Sequence, residues 1–125
     1  MRPSNLIAGK RGEDLATAFL EKKGYGIVER NFRTRNGELD IIAIDQSEKP
    51  STLVFVEVKT REGNAFGTPL EAITYYKLKF FIRTATFYSS THPRLPKSLR
   101  IDAIAVSLGP NGEVLDIEHV KNISQ

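Results

Sequence analysis

The sequence predicts a single α/β domain with a mixed central sheet flanked by helices, in the order α-β-β-β-α-β-β. Three observations carry that prediction. Thr52–Thr60 reads Thr-Leu-Val-Phe-Val-Glu-Val-Lys-Thr, apolar enough for a central strand covered on both faces. Gly9–Lys23 and Pro69–Tyr88 each repeat apolar residues at helical spacing. The 125 residues, 40% hydrophobic and 26% charged, suit one compact core and argue against general disorder.

In the first helix, Gly9–Lys23, the residues Gly12, Leu15, Ala16, Phe19 and Leu20 share a side, opposite Asp14 and Glu21, and Gly24 supplies the stop. Tyr25–Arg33 holds the strand formers Tyr25, Ile27, Val28 and Phe32. The Arg35-Asn36-Gly37 turn leads into a partner strand, Glu38–Asp45. The polar run 46–51, with Pro50, connects it to Thr52–Thr60. After a loop at Gly63–Thr68, Pro69 suits the first turn of the second helix. Its expected stripe is Leu70, Thr74, Leu78, Phe81, Ile82, Ala85 and Tyr88. Ser89–Ser98, with two prolines, is expected to be irregular, followed by strands at Leu99–Leu108 and Val114–Val120 around the turn at 109–112. Residues 1–125 form one expected domain, with 1–8 expected to be flexible.

Composition narrows the chemistry. With no cysteine, disulfides, thiolate catalysis and cysteine-ligated metals are excluded. His92 and His119 are the only histidines, which argues against a multi-histidine centre. No apolar run approaches the roughly 18 residues that span a bilayer, and Met1–Lys10 lacks a secretory signal core, so a cytoplasmic protein is expected. The net charge of +3 is mild but unevenly spread. Residues 69–100 carry Lys77, Lys79, Arg83, Arg94, Lys97 and Arg100 against Glu71, a balance of +5 that suits either a phosphate backbone or a solvated face.

Two strands break their own pattern. Glu57 interrupts Leu53–Val58, and alternation places Lys59 on the same face. An unpaired charge there costs several kcal/mol, so Lys59 or a bound cation must compensate it. Asp40 interrupts Leu39–Ala43 in the same way. If the two strands pair, Asp40 and Glu57 meet, and two carboxylates suit Mg²⁺ or Mn²⁺ completed by water and phosphate oxygens. A neighbouring lysine then orients water or stabilises charge on a phosphoryl group. A plain ion pair is the alternative.

Asp40…Glu57-Val58-Lys59 resembles the signature of the PD-(D/E)XK nuclease superfamily, which includes restriction endonucleases and archaeal Holliday-junction resolvases. Gly12-Glu13, Gly37–Ala43, Phe55–Arg61 and Arg100-Ile101-Asp102 more closely resemble the YraN-like family of uncharacterised bacterial proteins, over about Gly9–Val120. The resemblance implies a restriction-endonuclease-like core and divalent-metal chemistry on nucleic acid. Leu39 stands where the superfamily name has proline. Lys77 matches the Lys of a family Lys-Gln pair, and Leu78 replaces the Gln.

On a helical wheel Glu13 lies about 20° from Leu20, where it can reach the metal site or simply complement the helix dipole. Lys77 borders the second helix's apolar stripe and can reach the site or cover apolar surface, whereas Lys79 and Arg83 face away. Arg61, Arg35 and Arg33 are further candidates for phosphate contacts, each with a solvated alternative. Tyr75 and Tyr76 could stack on bases, although packing is the commoner role. Asp102 is expected to pair with Arg100 or a sheet neighbour, and His92 has no evident partner. The expected activity is Mg²⁺- or Mn²⁺-dependent cleavage of DNA, branched DNA included. Asp40, Glu57 and Glu13 serve the metal, and Lys59 the nucleophile. Alternatives are nucleic-acid binding without cleavage, or an interaction subunit with a vestigial pocket; a homodimer is an open assembly.

Overall fold

The computed structural model describes residues 2–63, 71 and 73–124, with side chains described from residue 7. Its elements are α1 (Arg2–Lys22), β1 (Gly26–Thr34), β2 (Gly37–Asp45), β3 (Thr52–Glu62), α2 (Tyr75–Thr91), β4 (Ser98–Leu108) and β5 (Val114–Val120). This is the expected order, and the arrangement is consistent with a restriction-endonuclease-like fold.

The five strands form one sheet in the order β1-β2-β3-β4-β5. β3 is central and parallel to β4, from Thr52↔Ser98 to Glu62↔Leu108, and α2 lies on the crossover between them. The other neighbours pair antiparallel. Alternation along β3 feeds two cores. Val54 and Val56 pack with Ala16 and Leu20 of α1, and with Ile104 and Val106. Leu53 and Phe55 pack with Phe81, Ala85 and Tyr88 of α2, and with Ile42 and Ile101.

Both helices depart from the expected bounds. α1 begins at Arg2 rather than Gly9, because Pro3 falls in the first turn, where its missing N–H breaks no hydrogen bond. α2 begins at Tyr75 because Thr74 caps it: the Thr74 hydroxyl accepts the Lys77 backbone N–H at 3.1 Å. The expected start at Pro69, Leu70 of the stripe and the loop at 64–68 lie outside the described residues. α2 also extends to Thr91, where the Ser90 and Thr91 hydroxyls donate back to the Phe87 carbonyl. The expected irregular stretch at Ser89–Ser98 is correspondingly shorter. The buried positions are Phe81, Thr84, Ala85 and Tyr88, and Ile82, expected in the stripe, is 44% exposed.

A buried polar network pins the start of β4 to its neighbours. Arg100 donates to Asp45 at 3.0 Å, to Asp102 at 3.0 Å and to the Tyr25 hydroxyl at 2.9 Å. Asp102, fully buried, also meets His119 Nε2 at 2.8 Å and accepts the Asn122 backbone N–H at 2.9 Å. Burial alone would raise the Asp102 pKa, but these partners outweigh it and hold the carboxyl below its ordinary value. Asp102 thus pairs with Arg100, as expected from the sequence.

α1 crosses β3 closely at one residue. A Cβ on buried Gly12 would run into the Thr60 hydroxyl, so glycine there sets the helix–sheet distance and with it the position of Glu13. Gly12→Ala gains about 1 kcal/mol of helix propensity, yet overpacking of this kind costs about 1–3 kcal/mol. Urea denaturation should therefore show no stabilisation and a net loss, partly recovered when Thr60→Ala is added. A raised midpoint in Gly12→Ala would show that α1 moves off β3 freely.

Candidate active site

The site forms where the β2–β3 ladder ends. Pairing runs from Asp45↔Thr52 to Ile41↔Val56 and stops, one step before Asp40 would face Glu57. Beyond it the Asp40 carboxylate takes the place of a backbone acceptor: its Oδ2 accepts the Val58 N–H at 2.7 Å. The hairpin changes face at this level. Leu39 packs in the α2-side core and Ile41 in the α1-side core, although a regular strand keeps residues two apart on one face. β1 does the same. Arg30 reaches Asp14 of α1 at 2.8 Å, while Phe32 packs edge-on against Tyr88 of α2. Between them Asn31 adopts φ 55°, a left-handed conformation that asparagine tolerates better than most residues. Asn31 lies opposite Asp40, since the pairs Arg30↔Ile41 and Phe32↔Leu39 bracket both.

The Asp40 and Glu57 carboxyls come within hydrogen-bonding reach of each other. Burial, then the charge and contact of Glu57, push the Asp40 pKa up to about 8; Glu13 adds to the rise and the Val58 N–H opposes it. Glu57 Oε2 also meets Lys77 Nζ at 3.4 Å, so the lysine that approaches Glu57 comes from α2. Lys59, one of the two expected compensators beside a bound cation, is exposed; it lines the same cleft of about 380 Å³ with Glu13, Glu57, Thr60 and Lys77.

Glu13 enters this cleft with its carboxylate already engaged. Its Oε1 accepts from Asn31 Nδ2 at 2.9 Å and lies 3.6 Å from Arg30 Nη2. Among the described residues no three acidic or imidazole side chains form a metal-holding group. A divalent cation here would rest on Asp40 and Glu57, a donor set that suits Mg²⁺ or Mn²⁺, which take one or two carboxylates and keep waters and phosphate oxygens. Two carboxyls held close enough to favour a shared proton also favour a cation in its place.

The other candidates do not line this cleft. Arg35 is exposed in the hairpin turn, Arg83 is exposed on α2, Arg61 is half-buried near the end of β3, and Arg33 pairs with Glu38 at 3.3 Å. Lys79 Nζ stands over the Tyr75 ring at 5.2 Å. Tyr75 and Tyr76, for which packing was the commoner expectation, are 68% and 81% exposed. His92 lies flat on Tyr88 at 3.8 Å and closes the end of α2. Asn31 escaped the sequence reading: only an asparagine in an otherwise regular strand, facing an out-of-place aspartate, could have signalled it.

Comparison with known proteins agrees over most of the chain. The family described as "Uncharacterised protein family UPF0102" matches residues 12–106. The chain is 43% identical over 121 residues to a UPF0102 protein of Pelobacter propionicus, covering 97% of this chain and 84% of that one. It is 44% identical over 118 residues to one of Chlorobium phaeobacteroides, with coverages of 91% and 90%. A UPF0102 protein of Dictyoglomus turgidum is 38% identical over 119 residues, with coverages of 95% and 98%.

The carboxylate pair has a stability signature. Folding raises the Asp40 pKa, so its protonated form stabilises the fold below about pH 4, and that contribution is lost as pH rises through about 8. In chelator, Asp40→Asn should be at least as stable as wild type at pH 8 and should lose less stability between pH 4 and 8. Asparagine keeps an oxygen for the Val58 N–H. Destabilisation of the variant at pH 8 would instead mark Asp40 as a charged structural partner.

Proposed function

The chain belongs to the uncharacterised protein family UPF0102, and we propose that this member is a metal-dependent endonuclease of the PD-(D/E)XK type that hydrolyses DNA phosphodiester bonds. The observation that carries the reading is Asp40 brought to Glu57 at the broken end of the β2–β3 ladder, with Lys59 two residues along the same strand. A structural ion pair would seat a cation between such carboxyls; among the described residues Lys77 pairs with Glu57 and not with Asp40, from a half-exposed position.

Each residue takes a role that follows from its place. Asp40 and Glu57 would hold Mg²⁺ or Mn²⁺, which when bound polarises the phosphate and acidifies water. The Val58 N–H fixes the Asp40 carboxylate through one oxygen, beside the Glu57 carboxyl that lines the cleft. Lys59, exposed in the cleft wall, would orient the attacking water and balance charge developing on the phosphoryl oxygens. Glu13, steadied by Asn31, supports bound water from the α1 side. The step forms one P–O bond from water and breaks one P–O ester bond, leaving a phosphate monoester and a free hydroxyl. Lys77, which lines the cleft, is the first phosphate contact, and Lys79, Arg83, Arg61 and Arg35 are the further basic groups that would meet the nucleic-acid backbone.

One observation favours a second reading, in which the same cleft binds nucleic acid without cutting it. Leu78, standing where the family resemblance expects Gln, packs against the α2-side core and brings no amide to the cleft.

The two readings part on a pair of lysines. Lys59→Ala should abolish Mg²⁺- or Mn²⁺-dependent cleavage of linear, nicked or four-way DNA while affinity stays nearly unchanged. Lys79→Ala should weaken binding to all sequences and reduce the salt slope by about one ion. Wild-type protein that binds DNA yet cuts none of these with either metal would leave the binding module standing.

A further inference from the structure

We infer that the groove between the β1–β2 turn and the start of α2 receives an unpaired nucleobase, so that the site selects single-stranded or locally opened nucleic acid over uninterrupted duplex. The inference rests on the nuclease reading and adds a substrate class to it.

The groove, about 300 Å³, is walled by Asn36 and Gly37 on one side and by Tyr76 and Phe80 on the other. Turn and helix touch: a Cβ on Gly37 would stand 3.0 Å from the Phe80 ring, so glycine keeps the groove open and its wall tight. Phe81, buried in the α2-side core, closes the floor. Glu57 and Lys77 line both this groove and the catalytic cleft, so the two are continuous.

Its surface chemistry commits it to a flat, uncharged face attached to a negative chain. Tyr76 is 81% exposed and meets Tyr75, 68% exposed, edge to face at 5.6 Å. Two adjacent aromatic rings held out in water at a helix start contribute little to the core, and their π-faces suit stacking. Lys77 lines the groove beside Tyr76, Lys79 Nζ stands 5.2 Å over the Tyr75 ring, and both belong to a segment of balance +5; Glu38, which also lines the groove, is paired with Arg33. Aromatic faces framed by cations are the donor set for a base and its phosphates. A base inside a duplex is stacked on both faces and cannot present one to Tyr76; an unpaired base can.

Fluorescence anisotropy in chelator, with a labelled single strand and the blunt duplex of the same sequence, tests this without cleavage. Wild type should prefer the single strand. Tyr76→Ala should weaken single-strand binding about 5- to 150-fold, as expected for one stacked base, with duplex affinity little changed and Tyr76→Phe close to wild type. Exposed Tyr76 carries little of the fold, and thermal denaturation of each variant checks that it does not. Tyr76→Ala indistinguishable from wild type, or equally weakened on both forms, overturns the groove while leaving the nuclease reading intact. A wild type that binds neither form removes both. A wild-type dimer that Tyr76→Ala dissociates in sedimentation assigns the surface to a second copy instead and overturns the inference.

Discussion

The structure depends on two carboxyl groups, Asp40 and Glu57, held against each other at the edge of a hydrophobic sheet. Two such groups cannot both ionise cheaply in that setting, and burial raises the cost further. The chain accommodates them by interrupting regular structure. The β2–β3 ladder stops at Ile41↔Val56, and Asp40 spends one oxygen on the Val58 N–H that the ladder leaves free. Asn31 takes a left-handed conformation on the neighbouring strand, and both strands exchange faces at that level. A fold selected for stability alone would place apolar residues at these positions. The exchange of faces in β1 and β2 falls at the level of this carboxyl pair.

Stability and site occupy different ends of the central strands. At the start of β3 and β4, Arg100 binds Asp45 and Asp102 together with Tyr25, and His119 completes the hydrogen bonding of fully buried Asp102. Every charge there has its partner. Toward the carboxyl end of β3, Glu57 is met at 3.4 Å by the half-exposed Lys77, and Lys59 is exposed in the cleft. Ligand sites in open α/β sheets gather at the carboxyl ends of strands for the same reason: the ladder ends, loops diverge and side chains face a crevice. Gly12 brings α1 close enough to β3 to add Glu13 to that crevice, and the Thr74 cap aims the first turn of α2 at Glu57 through Lys77.

Much of this was legible in the sequence because strand alternation is a rigid rule. The apolar run Leu53–Val58 fixed β3 as central, and the carboxylates at 40 and 57 stood out against it. The Arg100–Asp102 pair was legible for the same reason, and Lys77 at the edge of the α2 stripe was legible from the helical period. The start of α2 was less so, since Pro69 and Thr74 are both start signals and only the cap hydrogen bond decides between them. Ile82 misled because the stripe was phased from Leu70; Thr84 fits the observed phase and Ile82 does not. The exchange of faces at Asn31 and Asp40 could not be read, because periodicity assumes a strand keeps its faces throughout. Nor could the exposure of Tyr75 and Tyr76, as aromatic residues near a helix start ordinarily pack.

If the carboxylate pair exists to hold a cation, the cation must bind to it. Isothermal titration of the purified protein with Mn²⁺ and with Mg²⁺ measures that directly, with Asp40→Asn and Glu57→Gln titrated alongside. Wild type should show saturable binding that either substitution abolishes. Identical isotherms for all three proteins, or none for wild type, would contradict it.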